Sequence, residues 1–268
     1  SILFPIASGR VKIHSSMAFS MAPDSPLPEE IDVLIAGDGN AACCAALSAR
    51  EAGLSVLVCE RAPEEQSGGN SRYTAGAMRM VYNSVDDLKQ LMPDLTEDEC
   101  ANTDFGSYSS EAFFDDMARI TQYRCDPTLT DLLVENSFPT LSWMRGKGVR
   151  FMPMYARQAF KIDGKFRFWG GLTVEAYGGG PGLVQQLHHA LDREQIRLAY
   201  DCRVLSVNVT SEGVSSVDVA YKGRPQTIRT RSIVLACGGF ESNRMWRTRY
   251  LGPGWELAKV RGTRYNTG

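Results

Sequence analysis

No part of this chain is apolar for long enough to cross a bilayer; its longest hydrophobic runs are strand-length. It also lacks blocks of like charge. Its 29 Lys and Arg stand against 31 Asp and Glu, a formal net charge of −2, with the basic residues spread along the chain. That leaves no electrostatic footprint for nucleic acid. Histidine is scarce, at His14, His188 and His189 alone. The seven cysteines include no C-x-x-C pair, and with so few histidines no metal site is expected. An odd number of such thiols reads as buried, reduced cysteine in an intracellular protein. The cytoplasm fits this, with the mitochondrion as the alternative for residues 1–29. These form a sparsely basic leader expected to be disordered. The acidic stretch from Asp86 to Glu99 has no calcium-loop spacing and reads as a solvated face. The four tryptophans read as core or interface packing, and His188 and His189 as part of a surface helix.

What is present is strongest near the start. Residues 31–36 (IDVLIA) form a short apolar run, the pattern of a parallel strand buried on both faces. Residues 40–52 (NAACCAALSAREA) read as a helix closed by Gly53, and residues 54–59 (LSVLVC) as a second buried strand. Between strand and helix, Gly37-Asp38-Gly39-Asn40-Ala41-Ala42 fits G-x-G-x-x-G/A. Gly37 permits the tight turn, Gly39 clears space for a pyrophosphate, and Ala42 lets the helix pack on the strand. The helix N-terminus, opened by Asn40 and Ala41, attracts an anion through its free N–H groups and dipole. Glu60 ends the second strand, where an acid accepts hydrogen bonds from an adenosine ribose. Asp38 departs from the pattern, since an acid sits poorly beside a diphosphate; it is expected to point to solvent.

Nicotinamide and flavin dinucleotides both fit that turn. Two further features favour FAD. Ser67-Gly68-Gly69-Asn70-Ser71 follows the acidic strand end, and its small residues let backbone amides reach a flavin cofactor. Residues 203–210, 214–221 and 226–230 alternate apolar with polar as a three-stranded antiparallel meander, and residues 233–237 (IVLAC) return as a separate central strand ending at Gly238-Gly239. Before the meander, residues 85–147 look mainly helical, with Pro139 expected to kink or split a helix over 128–145. Residues 149–169 read as short strands and loops, 183–191 as a helix led by Pro181, and 196–200 as a third core strand. The fold class is α/β: a Rossmann-like FAD-binding domain over residues 30–268, with a parallel sheet, a meander over 203–230 and a mainly helical insertion over 83–180.

Together these motifs resemble the flavoproteins of the fumarate reductase and succinate dehydrogenase superfamily, and within it the FAD-dependent tricarballylate dehydrogenases. The resemblance is carried by residues 37–46, Glu60-Arg61-Ala62-Pro63, residues 68–72, Gly178-Gly179-Gly180, residues 236–241 and residues 261–268. It implies that Gly37, Gly39 and Ala42 meet the pyrophosphate, Glu60 the ribose, and Arg61 and Ala62 the adenosine. Gly68, Gly69, Asn70 and Ser71 would line the flavin and ribityl chain. Val204 would offer its backbone to adenine, and Ala236, Gly238 and Gly239 would pass the ribose and phosphates. Covalent members attach FAD through a histidine near the start of the flavin loop; none lies between Met17 and His188, so non-covalent FAD is expected.

The implied chemistry is hydride transfer between flavin N5 and a C–C bond of a carboxylate substrate, tricarballylate or fumarate/succinate, with an electron acceptor or donor as second partner. A ketosteroid or other enone dehydrogenase is the alternative on the same fold. The resemblance also implies that a capping domain with its arginine proton donor, the substrate-carboxylate ligands, and a last strand and helix lie beyond Gly268. No catalytic residue is therefore assigned here. A chain without activity of its own, completed by a partner or by a missing C-terminal half, is the rival reading.

Overall fold

The computed structural model describes residues 25–268 except Leu172. Most of the expected leader lies outside the described residues. Residues 25–29, assigned to it above, pack onto the domain: Leu27 is buried, and Arg197 donates to the carbonyls of Ser25 and Pro26. Leu27 was inconspicuous in sequence because a single apolar residue carries no periodicity.

The chain opens with β1 (Glu30–Ala36), α1 (Asn40–Glu51) and β2 (Val56–Cys59). An irregular stretch with two short 3-10 turns leads to β3 (Ala77–Met78). The insertion follows with α2 (Val85–Leu91), α3 (Glu97–Ala101), β4 (Thr103–Asp104), α4 (Ser110–Ile120) and α5 (Pro127–Gly146). It ends in short pieces: β5 (Phe151–Pro153), α6 (Tyr155–Gln158), β6 (Ala159–Ile162), β7 (Lys165–Phe168) and β8 (Val174–Ala176). Then come α7 (Gly179–Arg193), β9 (Arg197–Ala199), β10 (Cys202–Thr210), β11 (Gly213–Tyr221), β12 (Arg224–Leu235) and α8 (Arg244–Leu251).

The main sheet has the order β10-β11-β12-β1-β2-β9. β12, β1, β2 and β9 run parallel; β10, β11 and β12 run antiparallel. At its centre the sheet is covered on both faces, which is why β1 and β2 read as unbroken apolar runs. Val33, Ile35, Val56 and Val58 face a large core shared with α1, α7 and the insertion. Leu34 and Leu57 face a smaller core closed by Val217, Val219 and Ile228 of the meander. The insertion adds two three-stranded sheets, β3-β8-β5 and β4-β7-β6, to its helices.

Three expectations are corrected. The third meander strand and the returning central strand are one element, β12. Its first half pairs antiparallel with β11, while the register from Glu30↔Arg229 to Ala36↔Leu235 runs parallel to β1. Thr230 hydrogen-bonds the Asp32 and Ser232 carbonyls at the changeover, so the polar Arg231-Ser232 pair does not break the strand. Cys237 lies beyond the end of β12 and is exposed. Pro139 does not split α5: the helix runs on, with Pro139 on its exposed side near exposed Glu135, whose carbonyl loses its partner where water can replace it. Core packing holds only for Trp143, since Trp169, Trp246 and Trp255 are exposed. The acidic stretch supplies helix caps: Asp87 and Glu99 close capping boxes with Ser84 and Thr96. Among the described residues no helix is long and apolar enough to cross a membrane, and no cluster of His, Cys, Asp or Glu could hold a metal.

Candidate cofactor-binding site

At the carboxyl ends of β1, β2 and β12 the sheet opens into a cleft of about 580 Å³. Ligands of open α/β sheets bind in this position, where the strand connections diverge. The turn leaving β1 forms its floor. Gly37 has φ +104°, and a Cβ there would lie 2.5 Å from the Ala236 carbonyl oxygen, so only glycine fits between β1 and the end of β12. Gly39 has an ordinary φ of −67°. Its missing side chain faces the cleft instead, 3.3 Å from Ser71 Oγ. Gly39, at the N-cap, has no side chain to cap α1, and the Cys43 N–H is the first to bond within the turn, to the Gly39 carbonyl at 3.0 Å. The Ala41 amide, ahead of it, remains for an anion in the cleft.

The loop after β2 forms the opposite wall. Ser71 Oγ accepts the Asn40 N–H at 3.0 Å and ties this loop to the start of α1. Asn70 Oδ1 accepts the Thr263 N–H at 3.0 Å, and Arg61 donates to the Tyr265 carbonyl at 3.3 Å and to Thr267 Oγ1. Residues 263–268 are thereby drawn over the cleft, and Gly268 N–H closes on the Gly239 carbonyl at 3.2 Å. At the far end, the β10–β11 register shifts between Val204 and Ser206. Such a bulge takes backbone groups out of the ladder.

Twelve of the sixteen expected site residues line this one cleft. Gly37, Gly39, Asn40, Ala41, Glu60 and Arg61 do so from the β1–β2 side; Gly69, Asn70 and Ser71 from the facing loop; Val204, Ala236 and Gly238 from the meander and the end of β12. The other four lie behind it. Ala42 is on the buried side of α1, the Ala62 N–H donates to Glu60 Oε1 at 2.6 Å, the Gly68 N–H is taken by Asp38, and Gly239 holds Gly268. Thr263 and residues 265–268 also line the cleft; no pattern of their own marked them, and only the family motif pointed there.

Asp38 and His188 depart most from expectation. Asp38 does not point to solvent: it is fully buried, and its two oxygens accept the Gly68 N–H at 2.8 and 2.9 Å. His188 is not a surface residue, since its Nε2 is buried 3.3 Å from Asp38 Oδ2, though without the alignment of a hydrogen bond. Burial pushes the Asp38 carboxyl up, but His188, a hydrogen bond with Glu60 and the Gly68 amide outweigh it and hold the group below its ordinary range. Glu60 moves the other way. Burial, the Asp38 charge and their shared hydrogen bond push it up to about 8, so the proton between the two carboxyls resides on Glu60.

The sequence profile described as "FAD binding domain" matches residues 32–265. The chain is 23% identical to the NADH:fumarate oxidoreductase of Klebsiella pneumoniae (strain 342), over 91% of its own length and 24% of that protein's. It is 27% identical to the fumarate reductase (cytochrome) of Shewanella frigidimarina, over 87% of its length and 36% of that protein's. Among solved structures, the open conformation of a flavocytochrome c3 fumarate reductase matches with a TM-score of 0.67 and 27% identity, covering 90% of this chain and 39% of that one. The chain thus spans about a quarter to two-fifths of these proteins.

Proposed function

The chain belongs to the FAD binding domain family, and we propose that it is the cofactor-holding part of an oxidoreductase moving hydride between FAD and a C–C bond of a small polycarboxylate. Fumarate/succinate and tricarballylate are the candidate substrates. Two fumarate reductases among the relatives support the polycarboxylate class; the motif resemblance carries tricarballylate. Bound FAD would supply the redox chemistry through its N5.

The chain's own residues bind and orient. The Gly39 gap and the Ala41 amide would receive the diphosphate at the N-terminus of α1. Glu60, at the end of β2, would meet ribose hydroxyls. The bulge beside Val204 would leave backbone groups for adenine, with Arg61 and Tyr265 over the same end. Gly69, Asn70 and Ser71 would line the ribityl and ring portion. In sequence no histidine lies between Met17 and His188, where covalent members carry theirs, so FAD would be held non-covalently. The observation that carries the reading is the meeting of the Gly37–Gly39 turn and the Ser71 loop at the N-terminus of α1, both opening on one cleft.

The test is dye-coupled turnover by the FAD-loaded whole protein, this part together with the substrate-binding half that the resemblance implies. Fumarate with reduced dye, and succinate or tricarballylate with oxidised dye, should change the dye's colour. A 3-ketosteroid should not. Turnover on the ketosteroid alone would reject the polycarboxylate assignment. A protein that binds FAD yet turns over none of them would favour a chain that needs a partner.

A further inference from the structure

Asp38 sits in the middle of a glycine turn that would hold a diphosphate, and it is fully buried. A carboxylate there adds negative charge where two more are to bind, at a cost that rises as water is excluded. Every element packed around it contributes a group. The Gly68 N–H reaches both oxygens from the facing loop. Glu60, at the end of β2, shares a hydrogen bond with it. Cys43 of α1 turns its thiol to the Asp38 carbonyl at 3.2 Å. Tyr200, following β9, lies close enough to feel its charge. None of these is a cation. Among the described residues, the group in contact that can become one is His188, from the middle of α7.

We infer that His188 and Asp38 form a buried charge pair in which His188 cancels Asp38 beside the diphosphate, while Asp38 fixes the flavin loop through Gly68. His188 is a positioning residue: it acts on the cofactor only through Asp38. The inference rests on the FAD reading above. It also explains how an acid is accommodated at this place in the turn. The Gly68 φ of +94° places its N–H toward the turn, and its missing side chain leaves room for Val184 of α7, where a Cβ would lie 2.7 Å away. Loop, turn and α7 are therefore locked at one point.

The test compares His188→Gln with the double variant Asp38→Asn/His188→Gln by FAD fluorescence quenching. His188→Gln should weaken FAD binding at least tenfold, because Asp38 is left uncompensated. Removing that charge as well should bring affinity back to within about threefold of the wild type. A merely structural histidine would give a double variant as weak as the single one, or weaker, and that result would overturn the inference; so would unaltered binding by His188→Gln. If His188→Gln does not fold, nitrogen NMR of the imidazole in the FAD-bound wild type decides: His188 should carry a proton on both ring nitrogens, and a neutral ring would refute the pair. Wild-type protein that binds no FAD would instead reject the cofactor reading itself.

Discussion

The two glycines of the turn are expected to fail in different ways when replaced by alanine. At Gly37, φ is +104°, and a Cβ would lie 2.5 Å from the Ala236 carbonyl oxygen. An L-residue in left-handed backbone costs roughly 1–2 kcal/mol, and forcing a methyl into closed space adds about 1–3 kcal/mol. The obstructing atom is backbone of the segment leaving β12, and Ala236 N–H is itself held by the Ala36 carbonyl at 2.9 Å, so relief would have to open the β1–β12 pairing. Gly37→Ala should therefore lose about 2–5 kcal/mol of stability in the cofactor-free protein. Gly39 is the reverse case. Its φ of −67° suits any residue, and a Cβ meets only the Ser71 hydroxyl at 3.3 Å, which can yield by a few tenths of an ångström. Gly39→Ala should change cofactor-free stability by no more than about 1 kcal/mol, and could gain from a less free unfolded chain. Its methyl would occupy the diphosphate approach, so FAD affinity should fall at least tenfold, or about 1.4 kcal/mol. Urea midpoints of the cofactor-free proteins and FAD fluorescence quenching separate the two effects. Equal destabilisation by both substitutions, or wild-type FAD affinity in Gly39→Ala, would refute the division of labour.

Two further outcomes follow from the same cleft. Glu60 is raised from 4.5 to about 8, so between those values the folded chain holds a proton that the unfolded chain has released, and stability falls as pH rises. From about pH 6 to pH 9 the cofactor-free protein should lose on the order of 2–3 kcal/mol, read from urea midpoints, and Glu60→Gln should flatten that slope; an equal slope in the variant would place the proton elsewhere. Acid precipitation of the FAD-loaded protein should leave all flavin in the supernatant, and a flavin-sized mass increase on the precipitated chain would disprove non-covalent binding.

The β1–α1–β2 opening was legible nearly to the residue because its signals are local: an apolar run buried on both faces, glycines at a turn, an alanine-rich helix closed by Gly53. β12 was cut in two because the strand changes partners from β11 to β1 at Arg229, and the polar Arg231-Ser232 pair that follows is indistinguishable in sequence from a turn. Asp38 and His188 were misplaced for another reason. Their meeting depends on how α7 crosses the β1 turn, 150 residues later in the chain, and neither carries a pattern of its own. Residues 263–268 are similar: irregular, without periodicity, and drawn to the cleft by Asn70, Arg61 and Glu241. Gly37, Gly39, Asn40, Ala41, Glu60, Arg61, Gly69, Asn70, Ser71, Val204, Ala236 and Gly238 come together around one cleft because strand ends and glycine turns fix where backbone is exposed, whereas side-chain partners across the cleft are set by tertiary packing.

The central claim is that this cleft is built for FAD. Its most direct test is a titration of the purified, cofactor-free protein with FAD, FMN and NAD by calorimetry, repeated with Gly39→Ala. FAD should bind at one per chain and far more tightly than either FMN, which lacks the adenosine that Glu60 and the Val204 bulge would hold, or NAD, which lacks the flavin that Gly69 and Asn70 would line; Gly39→Ala should weaken FAD binding. Tighter binding of NAD than FAD, or FAD binding untouched by Gly39→Ala, would contradict the claim.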